Sequence, residues 1–362
     1  TDLNYYFVVL PANAYGQTGS QHGQAQASLP DTTPPNQPST VSVSPADWSN
    51  AEARTVTWAG LTDMPLNRDT LGDNGHVQFV LDPASGTDAN TWAWQNTASN
   101  AANGSQIVST AGLEDGVHAV YVRGVDTYGN YGAPKGAELK VDRTPPTQPD
   151  VSVLPDDWTK ENTASISWTN IADLNDLNRV ELSWDGGAYQ TTGLSDKTCS
   201  GYEADISSFA DGLHTLSIRG VDIAENVGEA GTASIQIDRS APTLTQSSVK
   251  PAAWTAADSV MLTWEGAADA YSGLARMEYA VDGGAWEALD VNENGSREIE
   301  IGGLADGEHR ITLRLTDALE NAAAWEHTIY LDHTPPVVEL LTPQNGAVVT
   351  GVLDIWGVVS DI

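Results

Sequence analysis

The chain alternates apolar and polar residues in short runs and never sustains a helical repeat. "RTVTW" at 54–58, "ASISW" at 164–168 and "SVMLTW" at 259–264 put every second residue on one face, the period of a half-buried strand. Clusters of Gly, Asp and Asn separate the runs, and Asp-Gly-Gly stands between two of them at 185–187 and 282–284. Glycine accepts the positive φ that a tight hairpin needs, so these spacings predict antiparallel sheets.

The pattern is stamped out more than once. "DTTPP" at 31, "DRTPP" at 142, "DRSAP" at 238 and "DHTPP" at 332 recur at intervals of 111, 96 and 94 residues. After each of the first three comes Pro-x-x-Trp and, ten residues later, a second Trp: Trp48 and Trp58, Trp158 and Trp168, Trp254 and Trp264. A repeat of this length is one folding unit. Proline has no N–H for a sheet ladder and holds its predecessor extended, so the Pro steps read as stiff joints. About 95 residues with some seven short strands is the size of an Ig-like sandwich.

The matching pieces identify a resemblance. The three full modules carry "GLEDGVH", "SFADGLH" and "GLADGEH", an Arg-Gly-Val-Asp step in the first two, and the Asp-Arg-Thr-Pro-Pro joint. With these pieces they resemble the bacterial Ig-like repeats found in tandem on large secreted and surface proteins. The opening "YYFVVLPANAYGQ" resembles the F strand and F–G turn of fibronectin type III domains, and lies on "HAVYVRGVDTYGN" with Tyr5 on His118, Asn13 on Asp126 and Gln17 on Asn130. The resemblance implies an all-β chain of tandem Ig-like, fibronectin type III-like antiparallel β-sandwich modules in an extended array. The divisions are 1–31, the C-terminal part of a fibronectin type III-like module; 32–142, an Ig-like module with an insertion near 82–105; 143–238 and 239–332, two Ig-like modules; and 333–362, the start of a further one.

Composition narrows the role. Forty-nine acidic against sixteen basic residues leave a formal charge of −33, which repels nucleic acid and anionic membrane surfaces and attracts cations. The single cysteine, Cys199, excludes an intramolecular disulfide and a thiolate metal cluster. No apolar run is long enough for a membrane helix, and the expected secretion signal and anchor fall outside this segment. The expected role is a non-enzymatic, extracellular or cell-surface spacer, stalk or adhesive segment. Its partners would be other modules of the chain, neighbouring copies, or a surface glycan or protein. Two rivals stand beside it: a subunit of an extracellular filament or surface layer, and an accessory or carbohydrate-binding region of a secreted polysaccharide-degrading enzyme.

Three sets of residues are candidates for chemistry. His118, His214 and His309 each begin a row of every second residue that ends at Asp126, Asp222 and Asp317, and the row between is apolar. Each His is therefore expected at a sandwich corner, its ring packed inward and bonded to nearby backbone. The Asp residues open five-residue turns closing at Asn130, Asn226 and Asn321, which turn chemistry alone explains. The resemblance also implies inter-module calcium. That makes Asp126, Asn130, Asp222, Asn226, Asp317 and Asn321 candidate ligands, with Asp31, Asp142, Asp238 and Asp332 supplied by the joints, each turn sharing its cation with the next joint. Trp58, Trp168 and Trp264 are expected in the cores. Trp92 and Trp94 lie in the polar insertion, two apart on an expected strand, and are the candidates for stacking on a ligand.

Overall fold

In the computed structural model, residues 4–9, 12–17, 23–28, 31–63 and 75–361 are described, with backbone alone for the strands Asn4–Val9 and Gly23–Ser28. There is no α-helix among them. The chain is a tandem of β-sandwiches, and the second shows the plan. One sheet orders the strands Asp150–Leu154, Thr163–Thr169 and Cys199–Asp205. The facing sheet orders Trp158–Thr159, Gly231–Ile237, Gly212–Asp222, Leu177–Trp184 and Gln190–Thr191. The first strand thus changes sheets around Pro155 and continues parallel to the last one, while every other pairing is antiparallel.

The neighbours repeat this plan in three-plus-four form. Thr40–Ser44, Ala53–Ala59 and Gly104–Ser109 face Gln95–Asn96, His76–Leu81, Gly116–Val125 and Lys135–Val141. Gln246–Lys250, Ser259–Glu265 and Gly295–Glu300 face Glu287–Leu289, Leu274–Val281, Gly307–Asp317 and Ala322–Leu331. The sheet change survives there as single parallel bridges, Ser49 to Val141 and Thr255 to Leu331. The predicted Asp-Gly turns are present: Asp185 and Gly186 have φ of 52° and 72°, Asp282 and Gly283 of 52° and 68°.

Each sandwich closes over its own core, and the inward rows fill it. Val56 and Trp58, Ile166 and Trp168, and Leu262 and Trp264 come from one sheet; Val120 and Val122, Leu216 and Ile218, and Ile311 and Leu313 come from the other. Each core Trp is buried as expected and still satisfies its N–H, donating to Ala101, Asp196 or Asn292 carbonyl oxygen at 3.0–3.1 Å. The indole covers the glycine paired with it on the neighbouring strand, where a Cβ at Gly104 or Gly295 would fall 2.6 or 2.3 Å from the ring. The outer Trp158 and Trp254 are not among the core residues. Trp158 tilts against Tyr271 of the next module, and Trp254 is 57% exposed beside Tyr330. The closing segment pairs Val337–Thr342 with Trp356–Ser360.

Candidate metal centres at the module joints

The last strand of the first sandwich ends at Val141, and Asp142 begins the joint. Its carboxylate accepts from Thr144 N–H at 3.1 Å and from Asn175 Nδ2 of the second sandwich at 2.6 Å. Its carbonyl accepts from Asn226 Nδ2 at 3.1 Å. Asn226 closes the turn that Asp222 opens: Asp222 Oδ1 accepts from Asn226 N–H and Oδ2 from Asn226 Nδ2, both at 2.8 Å. A third carboxylate, Asp173, comes from the loop after the core Trp168, with Oδ1 accepting from Asn175 N–H at 2.8 Å. Oxygen atoms of Asp142, Asp173 and Asp222 lie within 4.8 Å of one another.

The group occurs three times. Asp31, Asp63 and Asp126 form the first, and Asp238, Asp269 and Asp317 the third, within the same limit. Asn130 Nδ2 donates to Asp31 carbonyl at 3.0 Å and Asn321 Nδ2 to that of Asp238 at 3.4 Å. In the third group Ser272 N–H also donates to Asp238 at 3.0 Å.

The arrangement differs from the expected ligand set in three respects. The joint carboxylate that meets each turn is the one before the module, so Asp222 lies with Asp142 and Asp317 with Asp238. The Asn residues act through Nδ2 as donors that fix the joint. No second and third carboxylate close on Asp332 among the described residues; its carboxylate caps Thr334 N–H at 3.1 Å. The sequence reading omitted Asp63, Asp173 and Asp269, although each stands five residues after its core Trp.

These groups are electrostatically expensive as they stand. Among the described residues, no Lys, Arg or His forms an ion pair with any of the nine carboxylates. Asp126, Asp142, Asp222, Asp238 and Asp317 are at most 2% exposed. Asp63 Oδ1 and Asp173 Oδ2 are buried with no hydrogen-bond partner. Burial pushes the Asp63, Asp142 and Asp173 carboxyls above their usual range; the charges of Asp126 and Asp31 add to this for Asp63, and those of Asp142 and Asp222 for Asp173. Asp142 is also raised by Asp222, against the pull of its bonds to Asn175 and Thr144. Buried like charges with orphaned oxygens suit a hard divalent cation, which takes carboxylate and carbonyl oxygens; the absence of nitrogen and sulfur donors from the groups disfavours zinc or copper.

The joint is also fastened to the module before it. Asp115, in the turn ahead of the strand Gly116–Val125, accepts from Arg143 N–H at 2.9 Å and from the Thr144 hydroxyl. Arg143 donates to Leu113 and Thr110 carbonyls at 3.0 and 2.8 Å. Asp211 holds Arg239 N–H and the Ser240 hydroxyl, and Asp306 holds His333 N–H and the Thr334 hydroxyl, in the same way.

The histidines are corner residues, as their position implied. His214 Nδ1 faces Asp185 Oδ2 at 2.7 Å and its Nε2 faces Ala210 carbonyl at 2.9 Å. His309 faces Asp282 and Ala305 carbonyl, both at 2.7 Å, and His118 faces Asp82 and Glu114 carbonyl. Both nitrogens of each ring are taken, so none is free to ligate a metal or act as a base. The degenerate copy near the N-terminus keeps the turn: Asn13 Oδ1 accepts from Tyr15 and Gln17 N–H at 3.0 and 3.1 Å, as Asp126 does for Tyr128 and Asn130. The Tyr5 side chain lies outside the described residues.

Trp92 and Trp94 do not lie on a strand. They follow a single 3₁₀ turn, Ala89–Thr91, and stack on each other at 5.6 Å. Trp92 leans on Tyr121 at 4.9 Å, and Arg123 sits 4.1 Å from Trp94 and 4.2 Å from Tyr131. Their N–H groups donate to Thr87 Oγ1 and Ala89 carbonyl. The indole faces and donors are thus engaged within the first module.

No family model matches the chain, and no curated protein matches it. Among solved structures it is similar to the FN1-FN3 domains of chicken CNTN1, at 13% identity over 82% of this chain and 99% of that one, with a TM-score of 0.27. It is also similar to the fibronectin(III)-like modules of Clostridium thermocellum CbhA, at 18% identity over 50% and 93% of the two chains, with a TM-score of 0.26. The fold assignment rests on the strand order of each sandwich, described above.

Proposed function

We propose that this segment is a non-enzymatic spacer within a large extracellular or cell-surface protein, its joints stiffened by calcium. The observation that carries the reading is the two-sided fastening of the joints at Asp142 and Asp238. Asp115 holds residues 143 and 144 to the first module, while Asn226 and Asn175 hold Asp142 to the second, and the second joint repeats the device with Asp211 and Asn321. A chain built to bend freely would leave its linkers solvated. The joint between the second and third modules adds Trp158 against Tyr271 and Lys160 Nζ donating to Leu319 carbonyl. Calcium is supported by the three carboxylate groups, each joining a linker residue to two loops of the following module. No helix among the described residues is long and apolar enough to cross a membrane.

Small-angle scattering and thermal melting of the whole chain, with calcium and with chelator, test this. The expected result is an extended particle whose maximum dimension and melting temperature both fall on chelation. A compact particle in calcium would overturn the spacer, and identical profiles in both conditions would overturn the ion.

A further inference from the structure

The three His corners stand at the far end of each module, beside the clamp that holds the outgoing joint. Each ring faces two acceptors and no donor: a carboxylate at Nδ1 and a carbonyl at Nε2. A neutral imidazole carries one proton and can satisfy only one of them, so this geometry selects the imidazolium. The carboxylate belongs to the turn after the strands His76–Leu81, Leu177–Trp184 and Leu274–Val281, and its second oxygen accepts from Ala119, Thr215 or Arg310 N–H at 2.8 Å. The carbonyl belongs to Glu114, Ala210 or Ala305. The very next residue is Asp115, Asp211 or Asp306, the carboxylate that fastens the outgoing joint.

We propose that these histidines make joint order depend on pH: protonated, each ring ties a hairpin to the turn that grips the following joint, and deprotonated it releases that turn. The proposal rests on the spacer reading above and adds its regulation. The charged groups around His118 are Asp82, Glu138 and the Arg143 guanidinium. Around His214 they are Asp185 and Arg239, with the Phe209 ring 4.8 Å away. Around His309 they are Asp282, Glu308, Arg310 and Glu326. Burial pulls the His118 and His214 pKa values down, but their bonds to the carbonyl and carboxylate outweigh it; for His309 the Asp282 bond leads, and all three stand above the ordinary value. A raised folded-state pKa gives stability that is complete below the ordinary histidine value of about 6.5 and is lost as pH rises through the folded-state pKa. Joints are therefore tightest below the ordinary histidine value and loosen as pH rises through the raised folded-state pKa.

The test uses the whole chain in saturating calcium, from about pH 5.5 to about 8.5. Amide exchange of residues 142–144 and 238–241 is read as protection against an unstructured peptide, beside proton NMR of the imidazoles and small-angle scattering. Protection of both joints should fall along the imidazole titration, by about tenfold for each unit that the imidazole pKa stands above the ordinary value. A combined His118→Gln, His214→Gln and His309→Gln variant should show no pH dependence. Because that variant can fail to fold, a second with Asp82→Asn, Asp185→Asn and Asp282→Asn keeps the rings and should move the midpoint to lower pH. Flat protection across the imidazole titration, or rings titrating at or below the ordinary value, would overturn the coupling while an extended particle left the spacer intact. A particle compact at every pH would overturn the spacer reading itself.

Discussion

Replacing Asp173 by Asn separates the cost of the carboxylate group from its use. Asn keeps an oxygen for Asn175 N–H and puts an amide where Oδ2 has no partner, in a residue grouped with Asp142 and Asp222. Two unit charges 4.8 Å apart repel by about 3.5 kcal/mol at an effective dielectric constant of 20, and Asp173 has two such neighbours. Protonation caps the penalty: at neutral pH a carboxyl of ordinary pKa escapes it for about 4 kcal/mol, from 1.36 kcal/mol per unit. Partial exposure of Asp173 brings solvent screening, so without cation Asp173→Asn should stabilise the second module by about 1–3 kcal/mol. With calcium the advantage of the variant should vanish or invert. A cation at a hundredfold excess over Kd adds about 2.7 kcal/mol to the wild type, and a variant short of one anionic ligand gains far less. Amide exchange of the strands Thr163–Thr169 and Gly212–Asp222 reports this module alone, as slowing of roughly 5- to 150-fold in chelator that disappears or reverses in calcium. Destabilisation in chelator would refute the repulsion. An undiminished calcium effect in the variant would refute the assignment of the cation to this group.

Three further outcomes follow from comparing modules. Arg54 is 2% exposed with Nε and Nη1 unpartnered, where the other modules carry Ala164 and Val260, so Arg54→Met should stabilise the first module by about 1–3 kcal/mol in denaturant titration. Arg219 and Arg314 pair across the sheet with Glu181 and Glu278, but Arg123 has no carboxylate partner among the described residues and donates to Gln78 at 2.9 Å and Asn90 at 3.3 Å; Gln78→Glu should add up to about 1 kcal/mol to thermal stability, shrinking in high salt. Trp168→Ala should cost about 3–5 kcal/mol and orphan the Asp196 carbonyl, whereas Trp254→Ala, at a 57% exposed ring, should fall within about 1 kcal/mol by the same assay.

Local rules carried the fold because each was expressed in adjacent residues. Alternation set which face of "ASISW" is buried, the Asp-Gly-Gly turn fixed the hairpin of Leu177–Trp184 with Gln190–Thr191, and a ten-residue spacing separated the inner Trp from the outer one. The insertion escaped those rules. Trp92 and Trp94 share a face without a strand, because Asp88 caps a 3₁₀ turn through Asn90 N–H and the rings then stack onto Tyr121 and Arg123. No periodicity encodes a contact between a loop and the sheet beneath it.

The choice of joint was open to a simpler argument than nearness in sequence. Asp222 is sixteen residues from Asp238 and eighty from Asp142, yet it meets Asp142. The reason is the direction of the strands. Gly212 to Asp222 runs toward the end where the module begins, and the antiparallel return, with Gly212 opposite Ile237, brings the chain back to the other end. Seven residues of strand span roughly 23 Å, so Asp238 finishes near His214 and far from Asp222. Any two residues flanking a hairpin strand of this length must part in the same way. The turn aspartates are thereby committed to the incoming joint and the histidine corners to the outgoing one. One strand, repeated in every module, links the carboxylate group at its C-terminal end with the imidazolium clamp at its start.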